Sequence, residues 1–123
     1  MKPQSKKAKG SRLERLVAKM LVDSGLDQFA HRTPLSGAIK GLKEDVMTKL
    51  LLQIEVKNQE LWSPYKWYQQ ALRGKNIGSG KIPIVFMSRN KIGIYVFLEA
   101  QDFINILIYA LASGWPDKPL QKE

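Results

Sequence analysis

The stretch "LLLQIEVK", Leu50 to Lys57, decides how this chain is read. It begins as an unbroken apolar run, passes into strict alternation, and ends with an acid and a base two positions apart. Side chains alternate faces along a strand, so Leu52, Ile54 and Val56 share one face while Gln53, Glu55 and Lys57 share the other. The apolar set belongs in a core. The polar set brings a carboxylate and an ammonium together at the strand's end, where a hard divalent cation and a phosphate could both be met. Alone, the triplet is weak: on the order of one Glu-x-Lys arises by chance in a chain this long. A salt bridge on an edge strand is the plain alternative.

Asp45 changes the weight of that pattern. It lies ten residues before Glu55, on a segment, "EDVMTK", that should form the neighbouring strand. Two carboxylates on adjacent strands with a lysine beside them form the constellation of a metal-dependent phosphodiesterase. A strict two-residue turn at Thr48 and Lys49 would set Asp45 opposite Leu52, on the wrong face. A three-residue connection or a bulge sets it opposite Gln53, beside Glu55, and this is the expectation. Glu44, its neighbour, should then point the other way.

Outward from this hairpin, Leu13, Leu16, Val17, Met20 and Leu21 recur at helical spacing, with Ser11 as candidate N-cap and Gly25 as terminator. "QFAHRT" reads as a short strand ending at Pro34, and "PLSGAIKGLK" as a loop rich in turn formers. "SPYKWYQQALRG" is a helix with Ser63 as N-cap, Pro64 in its first turn and Gly74 at its end. "IPIVFMS" and "IGIYVFL" form a hairpin across "RNK". "EAQDFINILIYALAS" closes as a helix before Gly114. The order helix, three strands, helix, two strands, helix predicts an α/β fold, a mixed sheet of about five strands flanked by helices.

The 123 residues fit one domain. Twenty Lys and Arg against eleven Asp and Glu leave a net charge of +9, the footprint of a polyanion binder, with nucleic acid the default partner. The chain has no cysteine, which excludes disulfides, cysteine-zinc sites and thiol catalysis. A single histidine, His31, excludes paired-histidine metal sites. The basic N-terminus is not followed by a signal-peptide core, and "FINILIYALA" is too short to span a membrane, so the expectation is a soluble cytoplasmic chain with no membrane partner.

Three ordered blocks now carry a family likeness. Asp45 followed by Glu55-Val56-Lys57 resembles the PD-(D/E)XK nuclease superfamily. "KGSRLER", Lys9 to Arg15, and "RTPLSG", Arg32 to Gly37, resemble the opening helix and the Arg-x-Pro-x-Ser-Gly loop of archaeal-type Holliday-junction resolvases. "SPYKWYQQA" is similar to the helix after the lysine in phage-borne relatives. The likeness spans roughly residues 9 to 107. Glu44 departs from it, standing where the superfamily name has proline.

What the resemblance implies is a restriction-endonuclease-like fold and a structure-selective DNA endonuclease. Asp45 and Glu55 would ligate Mg²⁺, for which Mn²⁺ could substitute, with the Val56 carbonyl as a further ligand and Glu14 nearby. Lys57 would orient or activate the attacking water and offset charge on the phosphorane. Ser36 would act from a mobile loop that reaches the junction strands. Arg15 and Arg32 would contact the phosphate backbone, joined along the DNA track by Lys9, Arg12, Lys40, Lys66 and Gln70.

Residues 1–9 read as a flexible basic arm, 10–113 as the nuclease domain and 114–123 as a tail. The arm is either a solubilising tail or a DNA contact. Trp62, Trp67 and Tyr68 suit a core or a subunit interface. "KNIGSGK" lacks the spacing of a phosphate-cradling loop. The last helix is apolar almost all round, which fits a homodimer whose twofold symmetry matches that of branched DNA. No small-molecule substrate is expected. Two other readings remain: a different PD-(D/E)XK nuclease of repair, recombination or restriction, and a basic DNA-binding protein with a relict site.

Overall fold

The structure is a computed structural model and describes residues 6–34, 44–74, 79–90 and 92–115, with side chains from residue 8. Its elements are helix α1 (Lys6–Asp23), strands β1 (His31–Arg32), β2 (Val46–Met47) and β3 (Leu52–Asn58), helix α2 (Pro64–Gly74), strands β4 (Ile82–Ser88) and β5 (Tyr95–Phe97), and helix α3 (Ala100–Ala112). The order of types is the expected one. The strands form one five-stranded sheet in the order β1-β2-β3-β4-β5. β3 and β4 run parallel, joined by the α2 crossover, and the other pairs are antiparallel.

Alternation along β3 and β4 divides the core between two layers. Leu13, Val17, Ala18 and Leu21 of α1 pack with Val46, Ile54, Val56 and Ile84 on one face. On the other, Trp67 and Tyr68 of α2 pack with Val85 and Met87. Ile54 and Val85 are each 0% exposed, and each contributes about 1.5–3 kcal/mol through burial. β3 is therefore covered on both sides, with the polar Gln53, Glu55 and Lys57 on its α2 face and Gln53 buried there.

Three local expectations change. α1 starts at Lys6 rather than Ser11, so it takes in residues expected at the end of the arm. Ser11 is no N-cap: its hydroxyl accepts a 3.0 Å hydrogen bond from Arg32 Nη2. Leu16 and Met20, assigned to the apolar stripe, are 44% and 47% exposed, because the sheet covers only the arc of α1 centred on Val17. Gly25 ends α1 as expected; its φ of 80° suits a residue without Cβ.

The β2–β3 connection is longer than expected. Val46 pairs with Ile54, so residues 48–51 make the turn. Asp27, 2% exposed, fastens it: Oδ2 accepts from the Thr48 hydroxyl at 2.7 Å and the Lys49 N–H at 2.8 Å, and Oδ1 from the Phe29 N–H at 3.0 Å. The Thr48 hydroxyl, followed by the two N–H groups, holds this carboxyl below the usual carboxylate range.

α3 stands apart in character. None of its residues is buried, and Phe103, Ile104, Ile106, Ile108, Tyr109 and Leu111 lie between 39% and 77% exposed. Gly114, at φ 106°, follows its last turn, and the Trp115 N–H returns to the Ala110 carbonyl. Among the described residues, nothing covers the apolar surface of α3. No helix among the described residues is long and apolar enough to cross a membrane.

Candidate active site

The site forms where β2 stops short and leaves part of β3 uncovered. Asp45 sits at that point, and its backbone departs from a regular strand. Its N–H donates to the Ile54 carbonyl at 2.9 Å, on β3, while its carbonyl accepts from the Thr33 N–H at 3.0 Å, on the β1 side. In a regular strand both groups of one residue face the same neighbour. The twist lets the Asp45 side chain reach across the strand end, where Oδ2 accepts a 2.7 Å hydrogen bond from the Val56 N–H.

Val46 pairs with Ile54, two residues further along β3 than a three-residue connection would set it. Asp45 does not continue that pairing regularly, yet its charge acts on Glu55, beside which it was expected. Glu44 does not turn to the opposite face. Its carboxylate lies 3.5 Å from the Gln53 amide, on the Glu55 side of the sheet, and 3.6 Å from Lys81 Nζ. The irregular backbone at Asp45 breaks the alternation on which the expectation rested.

Glu55 and Lys57 share the α2 face with their charged ends 3.8 Å apart. The Glu55 side chain is 14% exposed and that of Lys57 23%. Burial first, then the Asp45 charge and, less strongly, Glu14 push the Glu55 carboxyl up, Lys57 opposes, and the balance stands at about 7. Three acidic side chains thus feel one another around the edge of β3.

Glu14 reaches this edge from α1 and is 7% exposed. Arg32 holds it through Nε, 2.6 Å from Oε2, while Ser11 steadies the other end of the guanidinium. Arg32, expected to contact phosphate, is therefore committed to a buried carboxylate. Sequence reading had given Ser11 no part in the site. Gln53, 2% exposed, also went unassigned, although its place on the Glu55 face was visible in the alternation.

Of the remaining candidates, Arg12, Arg15 and Lys66 are exposed, and Lys9 and Gln70 are half-buried. Ser36 and Lys40 lie outside the described residues. His31 is exposed, and its Nδ1 donates to the Phe29 carbonyl at 3.0 Å, away from the site. Trp67 and Tyr68 are core residues. Trp62 donates through Nε1 to the Ser88 carbonyl at 3.2 Å and carries the Arg89 guanidinium 5.3 Å from its ring centre.

Two carboxylates around one strand edge, with a lysine on the same strand end, match the arrangement that cuts phosphodiesters. A family model described as "Phage putative PDDEXK endonuclease" matches residues 5–114. The chain belongs to that family. The match runs from α1 through α3, so Asp45 and Glu55-x-Lys57 fall within the matched region. No curated protein and no solved structure gives a match. The five-stranded mixed sheet between helices is consistent with a restriction-endonuclease-like fold.

The donor chemistry of the site fits a hard cation. Asp45 and Glu55 supply carboxylate oxygens, and their mutual repulsion is what a cation relieves. Val56 offers its N–H toward Asp45; in an extended residue the carbonyl points to the same side. Among the described residues, no three acidic, histidine or cysteine side chains already converge as a ready-made cage. Mg²⁺ needs fewer, since it is commonly held by one or two carboxylates and keeps much of its water.

Proposed function

We propose that this chain is a metal-dependent, structure-selective DNA endonuclease that resolves four-way junctions. The observation that carries the catalytic part is Glu55 and Lys57 on β3 with the Asp45 carboxylate bonded between them, at the Val56 N–H. Asp45, Glu55 and the Val56 carbonyl would hold Mg²⁺ or Mn²⁺. Glu14, fixed by Arg32, adds negative potential nearby. A bound divalent ion would supply Lewis acidity toward the scissile phosphate.

The chain's own groups do the rest. Lys57, half-covered and pointing from the same face as Glu55, places a positive charge where a water and a phosphate oxygen meet. It orients that water and offsets the charge gathering on phosphorus. Glu55, with its raised proton affinity, takes up a proton readily when no cation faces it. Lys9, Arg12, Arg15, Lys66 and Gln70 would follow the backbone, which positions the DNA without reading its sequence.

Junction preference rests on the likeness of "KGSRLER" and "RTPLSG" to resolvase blocks, and on α3. That helix presents six large apolar residues to solvent, an exposure that marks an interaction surface. A second copy seated there would give a homodimer with two sites on opposing strands. The fitting compartment is the cytoplasm, that of the host for a phage-encoded chain.

The test is Mg²⁺-dependent cleavage of a labelled four-way junction beside a linear duplex of the same sequence. Paired symmetric nicks in the junction alone support resolution. Equal cutting of both moves the chain to a general PDDEXK nuclease role. Tight binding with no cutting overturns the catalytic reading and leaves Glu55 and Lys57 as a salt bridge.

A further inference from the structure

At the C-terminal end of β3, directly after Lys57, Lys9, Asn58, Gln59, Glu60 and Leu61 line a cleft of about 300 Å³. Asn58 alternates onto the α1 face of the sheet, where Lys9 stands four residues before the buried Leu13 on the same side of α1. Helix and strand therefore wall the cleft from two directions. We infer that this cleft is a nucleotide subsite, in which Lys9 meets a phosphate and the Asn58 and Gln59 carboxamides read the edge of one base. The inference rests on the DNA-cutting reading of the neighbouring site.

The chemistry of the lining favours that occupant. A carboxamide donates and accepts side by side, which matches the adjacent N6 donor and N7 acceptor of adenine. Leu61 is 86% exposed and offers an apolar rim to a base or a thymine methyl. Glu60 also lines the cleft, with its Oε1 accepting from the Asn90 N–H at 3.4 Å, so one acid stands beside the Lys9 ammonium. The cut would then carry a base preference at one fixed position and otherwise follow DNA shape.

The experiment selects bound DNA from four-way junctions and linear duplexes with randomised arms, using the Asp45→Asn protein, and maps cut sites of the wild-type protein on the same libraries. The expected result is adenine enriched at least about fivefold at one fixed position relative to the cut. Asn58→Asp and Gln59→Glu keep shape but replace the donor by an acceptor, and one of them should move that preference toward cytosine. Lys9→Ala should weaken binding to all sequences and reduce the salt slope by about one. A flat profile, or one that neither isosteric variant changes, overturns the subsite. If the wild-type protein cuts nothing while the binding preference appears and shifts as described, the subsite stands and the nuclease reading fails.

Discussion

The Asp45 carboxylate accepts a 2.7 Å hydrogen bond from the backbone N–H of Val56, the residue between Glu55 and Lys57. This one bond fixes the acid of one strand against the acid and base of the next. It also explains why β2 ends there: Asp45 uses its side chain where a regular strand would use its backbone. Asparagine can accept the same bond through its amide oxygen while losing the charge. Asp45→Asn should therefore fold normally and bind DNA, with cleavage reduced by at least about 10²-fold, the scale of losing one charge-stabilising group at a reacting centre. Cleavage rates beside fluorescence anisotropy check this, and full activity in the variant refutes the assigned site.

Glu55 makes the metal-free protein sensitive to pH. Its carboxyl holds a proton to about 7 in the folded chain against 4.5 as a free side chain. The folded state thus favours the protonated form. That contribution is fully present below about 4.5 and is lost as pH rises toward 7. The range is up to about 3 kcal/mol. Urea unfolding between pH 4.5 and 8 with a chelator present should show the fall, and Glu55→Gln should flatten it. Stabilisation by added Mg²⁺ should grow over the same range, since the cation competes with the proton.

Removing Arg32 should cost stability more than DNA binding. Its guanidinium is the 2.6 Å partner of a carboxylate whose side chain is 9% exposed. Arg32→Met takes a charge-assisted partner from the buried Glu14 carboxylate and should destabilise the fold by about 2–4 kcal/mol, below or within the range for broken buried pairs because Arg32 is partly solvated. Adding Glu14→Gln should recover part of the loss. Denaturant midpoints of the two single variants and the double variant measure the coupling.

Asp27 should govern the acid limit of the β2–β3 turn. Its carboxyl is held low by Thr48, Lys49 and Phe29, so its stabilisation is present above the ordinary carboxylate pKa and disappears as pH falls through the lowered one. Asp27→Asn should remove this part of the acid dependence. Amide exchange at Lys49 and Phe29, slow in the wild-type chain at neutral pH, should become faster in the variant.

The dimer reading is tested at α3. Ile108→Asp together with Tyr109→Glu alters residues 57% and 77% exposed in the single chain. The protomer fold should survive, while sedimentation at micromolar concentration changes from dimer to monomer. A wild-type protein that sediments as a monomer overturns the homodimer.

Much of this protein follows from local pattern. The period-2 alternation of Gln53 to Lys57 placed three polar side chains on one face of β3; the helical spacing around Val17 and the Ser63, Pro64 and Gly74 end signals located the two helices that cover it. Charge and the absence of cysteine narrowed the partners. Such features depend on neighbours in sequence, so one chain suffices to show them. Other features required the folded chain. The two-residue change in register comes with the longer turn that Asp27 fastens from 21 positions away, and no local pattern encodes which distant carboxylate a turn will meet. The commitment of Arg32 to Glu14 joins residues 18 positions apart. The proton affinity of Glu55 is set by burial and by charges on other elements. The exposure of α3 emerged only when the rest of the chain left it uncovered. Sequence settled which side chains share a face; tertiary structure decided which of them meet, because distance and desolvation belong to the assembled fold.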